Sequence, residues 1–345
     1  MNDGTSICLV TRDRPGTLRA TVEAIRQFAD NPYEVILVDN GSTDYDTRAL
    51  LAMCEAYGWT VVRNIENMGL SRATNQGLAL GQYDCLIHLD DDALLEQQGW
   101  NQGMRSYFKH PQVGLVMPFQ GSEFIDQGEY REIRWGLGLT WAIRKTLFDD
   151  IGGYDPQLTH QNECDLCLRV RMAGFHVAGV PTVQVHHNEP HGPRSDISLA
   201  REHLGVVQYR DKWTAFFRGR EWNYGTLPLY LMQHWPPDQE WYRRFALQNG
   251  VDLNPAPEGA KIDTSPGSVL GLTDETAAKI ERRVQIRGQW YLAYCDLRND
   301  YSYFETEGNG YAVDRQRAIA RWYELTGEQY EGYKWPNFLR PAETV

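Results

Sequence analysis

The chain has 345 residues with 34 basic and 46 acidic side chains, a formal net charge of −12; 42% of it is hydrophobic and 23% charged. That length suggests two domains, or one large domain with an appendage, and is ample for a real core, and the ordinary composition excludes a disordered chain. The acidic balance disfavours non-specific nucleic-acid binding, no apolar run approaches the roughly 20 residues of a membrane helix, and Met1-Asn2-Asp3-Gly4 has no signal-peptide character, so a soluble, cytoplasmic protein is expected.

In chain order, the first hundred residues predict alternating strands and helices. Ile7-Cys8-Leu9-Val10 is an apolar run sized for a buried strand, and Leu18, Val22, Ile25 and Phe28 after Pro15-Gly16 recur at helical spacing. A strand over 34–38 ends at Asp39-Asn40-Gly41-Ser42, and a helix carries Leu50, Leu51, Cys54 and Tyr57. A third strand, a helix over 71–80 and the strand Cys85-Leu86-Ile87-His88-Leu89 follow, the last running into Asp90-Asp91-Asp92. Strands joined by crossover helices predict a mostly parallel sheet covered on both faces. Ligands of such sheets bind at the carboxyl ends of the strands. Polar clusters stand at three such ends: Thr11-Arg12-Asp13-Arg14, Asp39-Asn40-Gly41-Ser42 and Asp90-Asp91-Asp92.

From 111 to 187 the pattern is mixed, with a strand near 114–117, the Gly-rich segment Trp135-Gly136-Leu137-Gly138, a helix near Cys164 and a strand ending at His186-His187. The turn-rich run 188–193 marks a boundary, beyond which the chain reads as largely helical. There Thr273 is predicted to cap a helix carrying Ala277, Ile280, Val284 and Tyr291, and a last helix carries Ala318, Ile319, Trp322 and Leu325 and stops at Gly327. Six scattered cysteines form no disulfide framework, and Cys164 and Cys167 read as small residues on a buried helix face.

Three adjacent carboxylates after an apolar strand repel one another, and a hard divalent cation sharing its shell with phosphate relieves that repulsion. A solvated acidic turn is the plainer reading of the same residues. No P-loop, no Rossmann glycine fingerprint and no GxSxG elbow occurs.

The order Thr11-Arg12-Asp13-Arg14, Val38-Asp39-Asn40-Gly41-Ser42, Asn67-Met68-Gly69-Leu70-Ser71-Arg72, Leu89-Asp90-Asp91-Asp92, Gly152-Gly153-Tyr154-Asp155, Glu163-Cys164-Asp165-Leu166 and Pro181 to His187 resembles glycosyltransferase family 2. The resemblance covers residues 5–187. It implies an α/β GT-A fold, a Rossmann-like mostly parallel sheet flanked by helices, and inverting sugar transfer from a nucleotide diphosphate donor, by family frequency a UDP-sugar. It divides the chain into a nucleotide-sugar half (1–110), an acceptor and catalytic half (111–198) and a largely helical, aromatic-rich region (199–345) that resembles nothing in the family.

The resemblance also implies roles. Thr11, Arg12, Arg14, Asp39, Asn67, Gly69, Arg72, Asp90 and Asp91 would bind the nucleotide-sugar. Asp90, Asp92 and His187 would hold Mn²⁺ or Mg²⁺, with His186 the other histidine at that strand. Trp141, Gly153 and Tyr154 would contact the acceptor, most simply a carbohydrate. The family writes its base region with two acids, whereas this chain has Asn162-Glu163-Cys164-Asp165. Glu163 is preferred as the base, with Asp165 the other candidate or a partner of Arg169 at i+4. Asp39 also reads as the start of an Asx turn, and Arg72 as a solvated helix residue. Of the 41 aromatics 24 lie beyond residue 200, where Trp222, Tyr224, Trp235 and Trp241 are candidates for stacking on an acceptor. The rival readings are transfer to a modified nucleic-acid base, a nucleotidyltransferase, and an inactive sugar-nucleotide or glycan-binding module.

Overall fold

The computed structural model describes residues 2–121, 124–136, 138–188, 196–217, 280–286, 289–294 and 315–334, together with Trp241, Arg244 and Gln248. The chain divides into two compact units, Met1–Gly205 and Val206–Val345.

The first unit opens with the alternation expected from its apolar runs. In order come β1 (Thr5–Thr11), α1 (Pro15–Phe28), β2 (Tyr33–Asp39), α2 (Tyr45–Ala56), β3 (Thr60–Arg63), α3 (Leu70–Ala79) and β4 (Cys85–Asp90). Pro15 sits in the first turn of α1, where its missing N–H has no partner to lose. Asp44 caps α2 by accepting from the Thr47 N–H at 2.7 Å. The second part holds β5 (Ala93–Leu94), α4 (Trp100–Arg105), β6 (Val113–Pro118), β7 (Phe124–Asp126), β8 (Arg131–Ile133), β9 (Thr140–Arg144), α5 (Lys145–Ile151), α6 (Asn162–Met172), β10 (His176–Val180) and β11 (His186–His187). Helix α7 (Asp196–Phe217) follows.

Nine strands form one sheet in the order β3-β2-β1-β4-β9-β6-β10-β8-β7. Every residue of β1 is buried, because α1 and α2 cover one face and α3 the other. Strand alternation then sorts the core: Ile7, Leu9, Leu37 and Ile87 join one cluster with Leu18, Ile25 and Leu51, while Cys8, Val38 and Leu86 join another with Ala73, Leu78, Trp141 and Leu166.

The sheet departs from the expected mostly parallel one. β1 through β4 pair in parallel, as do β6 and β10, but β9 runs antiparallel to both β4 and β6, and β8 and β7 are antiparallel as well. Four pairings are therefore parallel and four antiparallel. The segment between β6 and β9 carries the antiparallel strands β7 and β8 and, among its described residues, no crossover helix, and β9 lies antiparallel to β6.

In the second unit the helix expected after Thr273 is replaced, over its described part, by an antiparallel pair, β12 (Ile280–Ile286) and β13 (Gln289–Tyr294), with Ile286 opposite Gln289. Ile280 and Val284 are four residues apart, a spacing that shares a face in a strand as readily as in a helix. Helix α8 (Arg315–Thr326) carries the expected Ala318 and Trp322, both buried, and ends at Gly327 with φ +71°. Ala318 packs with Val207, and the Tyr330 hydroxyl donates to Asp211 at 3.1 Å. Thr273, Ala277, Trp222, Tyr224 and Trp235 lie outside the described residues, and Trp241 is buried. Among the described cysteines all are free, with Cys167 buried and Cys164 partly exposed. No helix among the described residues is long and apolar enough to cross a membrane.

Candidate active site

The register of the parallel strands aligns three polar ends. Thr11 is opposite Asp39 across β1 and β2, and Val10 is opposite Asp90 across β1 and β4. The order reverses at β1, whose neighbours are β2 and β4, so a crevice opens beyond these ends.

Side chains knit the first loop to the acid triplet. Thr11 Oγ1 donates to Asp91 Oδ2 at 2.6 Å, Arg14 Nη1 to Asp91 Oδ1 at 3.0 Å and Arg14 Nη2 to Asp92 Oδ2 at 2.6 Å. Thr21 of α1 donates to the Asp91 carbonyl at 2.9 Å and fixes the turn itself. Asp91 and Asp92 are buried while Asp90 is half-buried. Burial pushes the Asp91 carboxyl up to about 6, although Arg14 and the Thr11 hydroxyl both oppose the rise. The guanidinium of Arg14 supplies the positive charge that the two buried carboxylates need.

The loops after β2 and β3 are tied together separately. Asp39 Oδ1 accepts from the Ser42 N–H at 2.8 Å, so the Asx turn exists and orients the carboxylate at the strand end. Asn40 donates to Asn67 Oδ1 at 2.9 Å and accepts from the Met68 N–H at 3.0 Å, and the Gly69 N–H donates to the same Asn67 oxygen at 3.0 Å. Gly41, at φ +80°, lies where a Cβ would come within 2.7 Å of the Glu66 carbonyl carbon, so only glycine lets these loops meet. Gly69 begins α3 with φ +85°. Arg12 and Arg72 are exposed beside these loops, Arg12 with its Nε 3.9 Å from Asp13.

β11 pairs with β5 so that His187 stands opposite Ala93 and His186 opposite Leu94. His187 Nε2 lies 3.4 Å from Asp92 Oδ2, and of the two histidines it is the one brought to the triplet. Asp90 Oδ1 meets the buried His88 Nε2 at 3.0 Å. Among the described residues no three His, Cys, Asp or Glu side chains converge on one point. The donor chemistry nevertheless suits a hard divalent cation: Asp92 and His187 offer one oxygen and one imidazole nitrogen within reach of each other, and Asp90 stands next in line.

The candidate base sits at the start of α6. Glu163 is half-buried, and its Oε1 accepts from the Tyr154 hydroxyl at 2.8 Å. Asp165 is fully buried and accepts from Arg169 Nε at 2.8 Å; Arg169 in turn donates to the carbonyls of Ile151 and Gly153. Asp165 thereby anchors the segment that carries Tyr154, the partner role foreseen for it at i+4. Trp141 and Tyr154 are 0% and 2% exposed, so neither ring offers a face to an acceptor as expected from sequence. A Cβ on Gly153 would fall 2.3 Å from Asn75 Oδ1, which keeps that residue small for packing. Four contributors have no role assigned from sequence: Thr21, Asn75, His88 and Gly138. Asn75 grips Tyr154 at both backbone groups, accepting from its N–H at 2.8 Å and donating to its carbonyl at 2.7 Å. His88 lies in the strand that leads to the acid triplet and Gly138 in the Gly-rich segment, but neither position by itself says what its residue touches.

Residues 6–162 match the profile of glycosyl transferase family 2. The chain is 27% identical over 221 residues to the uncharacterized protein y4gI of Sinorhizobium fredii, covering 53% of this chain and 24% of that protein. It is 24% identical over 183 residues to an uncharacterized glycosyltransferase of Haemophilus influenzae, covering 48% of this chain and 61% of that one. The chain thus covers less than two thirds of the length of these relatives. In three dimensions it is similar to a mannosyltransferase, PcManGT from Pyrobaculum calidifontis, solved with GDP-Man and Mn²⁺, with a TM-score of 0.56, 18% identity, and 72% and 70% of the two chains covered. That likeness shows a shared GT-A fold. Residues 6–162 are thus similar to glycosyl transferase family 2, and the fold that holds them is of the GT-A type.

Proposed function

We propose that the chain moves a sugar from a nucleoside diphosphate donor to an acceptor hydroxyl with inversion, and that the acceptor is a carbohydrate. The observation that carries this reading is continuity of the site. Asp90 meets the buried His88, whose ring lies 5.4 Å from that of Tyr154, which donates to Glu163, so buried side chains link the donor-side carboxylates to the candidate base.

The acceptor hydroxyl attacks the anomeric carbon as the bond from that carbon to the diphosphate oxygen breaks, and its proton passes to Glu163. Charge grows on the departing diphosphate. Arg14 at the crevice floor and the exposed Arg12 and Arg72 are the chain's own cations for it. Asp39, on its Asx turn, suits a ribose or base hydroxyl, and the Asn40–Asn67 bridge holds the loops that would enclose the nucleoside. Asp92 and His187, with Asp90, would hold Mn²⁺ or Mg²⁺, which supplies positive charge to the diphosphate when bound. UDP is the first donor nucleotide to test and GDP the second, since PcManGT was solved with GDP-Man.

A thermal-shift screen of UDP and GDP with and without Mn²⁺ tests the reading. A ligand at a hundred times its Kd stabilises by about 2.7 kcal/mol, readily seen as a higher Tm. Stabilisation by one nucleotide that grows with Mn²⁺ is expected, and no stabilisation by any nucleoside diphosphate would sink the proposal. Glu163→Gln should keep donor binding and lose transfer by a factor on the order of 10² or more.

A further inference from the structure

Glu163 carries its carboxyl group at the end of two methylenes, so the end of its side chain needs restraint to present one oxygen. Two buried aromatic residues and a glycine lie against it. Trp141 Nε1 donates to Tyr154 Oη at 2.6 Å, and the Tyr154 hydroxyl donates onward to Glu163 Oε1 at 2.8 Å. An indole N–H can only donate, so the direction of the first bond is fixed. The phenol oxygen therefore spends its lone pair on Trp141, and its single proton is directed to Glu163. Burial, with the nearby charges of Glu163 and Asp90, holds the phenol well above its usual range, so it stays a donor at any working pH. Among the described residues Glu163 takes no other hydrogen bond. On another side the backbone of Gly138 covers the carboxyl group: a Cβ there would lie 2.7 Å from both Glu163 Cγ and Cδ.

We propose that Trp141 and Tyr154 form a directed hydrogen-bond relay that positions Glu163, holding Oε1 and leaving Oε2 to take the acceptor's proton, with Gly138 as the surface against which the carboxyl group rests. Trp141 and Tyr154 are positioning residues in this scheme and do not touch the acceptor. The rings are fixed in turn by edge-to-face packing on each other, with centroids 5.2 Å apart, by His88 packed against both, and by the Asn75 grip on the Tyr154 backbone. The inference rests on the assignment of Glu163 as base only for its kinetic consequence; the relay itself is a claim about bonds.

The bonds are tested without substrate, in the full chain labelled with ¹⁵N-tryptophan. The Trp141 indole N–H resonance is assigned by its loss in Trp141→Phe. Tyr154→Phe removes its acceptor and must shift it. Glu163→Gln must also shift it, because the phenol then meets a different acceptor, and in the Tyr154→Phe background Glu163→Gln must leave it unmoved. An indole resonance indifferent to Glu163→Gln, or one that responds equally with the phenol absent, overturns the relay. Kinetics with the donor found in the nucleotide screen give the second readout. Tyr154→Phe should lower kcat about tenfold with donor KM unchanged, and should cost nothing further in the Glu163→Gln background. Additive losses would mean that Tyr154 acts apart from Glu163. Full transfer by Glu163→Gln would remove the base assignment, while the indole resonance would still decide the relay.

Discussion

At the scale of single residues, the acid triplet separates into three environments within three positions. Asp91 is buried against Thr11 and Arg14, Asp92 is shared between Arg14 and His187, and Asp90 turns to His88. Arg14 therefore has a structural duty beside any role with the donor: it neutralises carboxylates that the fold has taken out of water. Removing one partner of a buried pair leaves the other uncompensated, so Arg14→Ala should destabilise the protein by about 2–4 kcal/mol, discounted toward the lower figure because the guanidinium is partly exposed. If Asp92 and His187 take a divalent cation, Mn²⁺ should raise the Tm of Arg14→Ala more than that of the parent chain. Equal shifts in calorimetry would argue against a cation at these residues.

At the scale of elements, α3 follows the loops after β2 and β3 and packs against the sheet. Gly77 sits inside this helix, where glycine costs about 1 kcal/mol relative to alanine. Its place is explained by packing, since a Cβ would lie 2.3 Å from Cys8 Sγ and 2.9 Å from Val38 Cγ2. The helix can lie close enough to the sheet for Asn75 to reach Tyr154 only because that position is bare. Gly77→Ala should cost about 1–3 kcal/mol through overpacking, despite the better helix propensity of alanine. Part of that loss should return in the Gly77→Ala, Cys8→Ala double variant, because the sulfur is the nearest obstacle. Denaturant unfolding of the four corners of this cycle checks the claim, and strict additivity would contradict it.

At the scale of the whole molecule, buried thiols in the sheet and in a helix packed on it couple its stability to alkaline pH. Burial pushes the Cys8 thiol up to about 12 and the Cys54 thiol up to about 11. In the unfolded chain these groups lose protons near pH 8.5, so above that pH the folded state holds more protons than the unfolded one. Their contribution is intact below about pH 8.5 and falls as pH rises toward their folded values, by up to about 1.4 kcal/mol per pH unit for each thiol. Cys8→Ala should flatten the decline of stability measured between pH 9 and 11, and an unchanged slope would show that this thiol ionises freely in the folded protein. Charge is also uneven along the chain: residues 1–200 hold 26 acidic and 16 basic side chains. The triplet, at the end of β4, and Glu163, in the first turn of α6, account for only a few of those acids.

The sequence by itself determined the α/β half of the molecule. Strands buried on both faces must be short apolar runs, the helices between them must be amphipathic, and polar residues at the run ends must gather on one edge once the strands lie parallel. Thr11, Arg14, Asp39 and Asp90-Asp91-Asp92 were legible for that reason, Asn67 only through the family resemblance, and the pairing of Asp165 with Arg169 followed from helical spacing. The tertiary structure alone decided what depends on distant partners. Whether β9 runs parallel or antiparallel is set by its neighbours β4 and β6, and the 280–294 hairpin hid behind a four-residue spacing common to both periodicities. Trp141 and Tyr154 show the same limit at a single site. Their composition suits an exposed sugar platform or a buried hydrogen-bonding pair equally well, and only the packing of β9 against β4, α3 and α6 turns them inward toward Glu163.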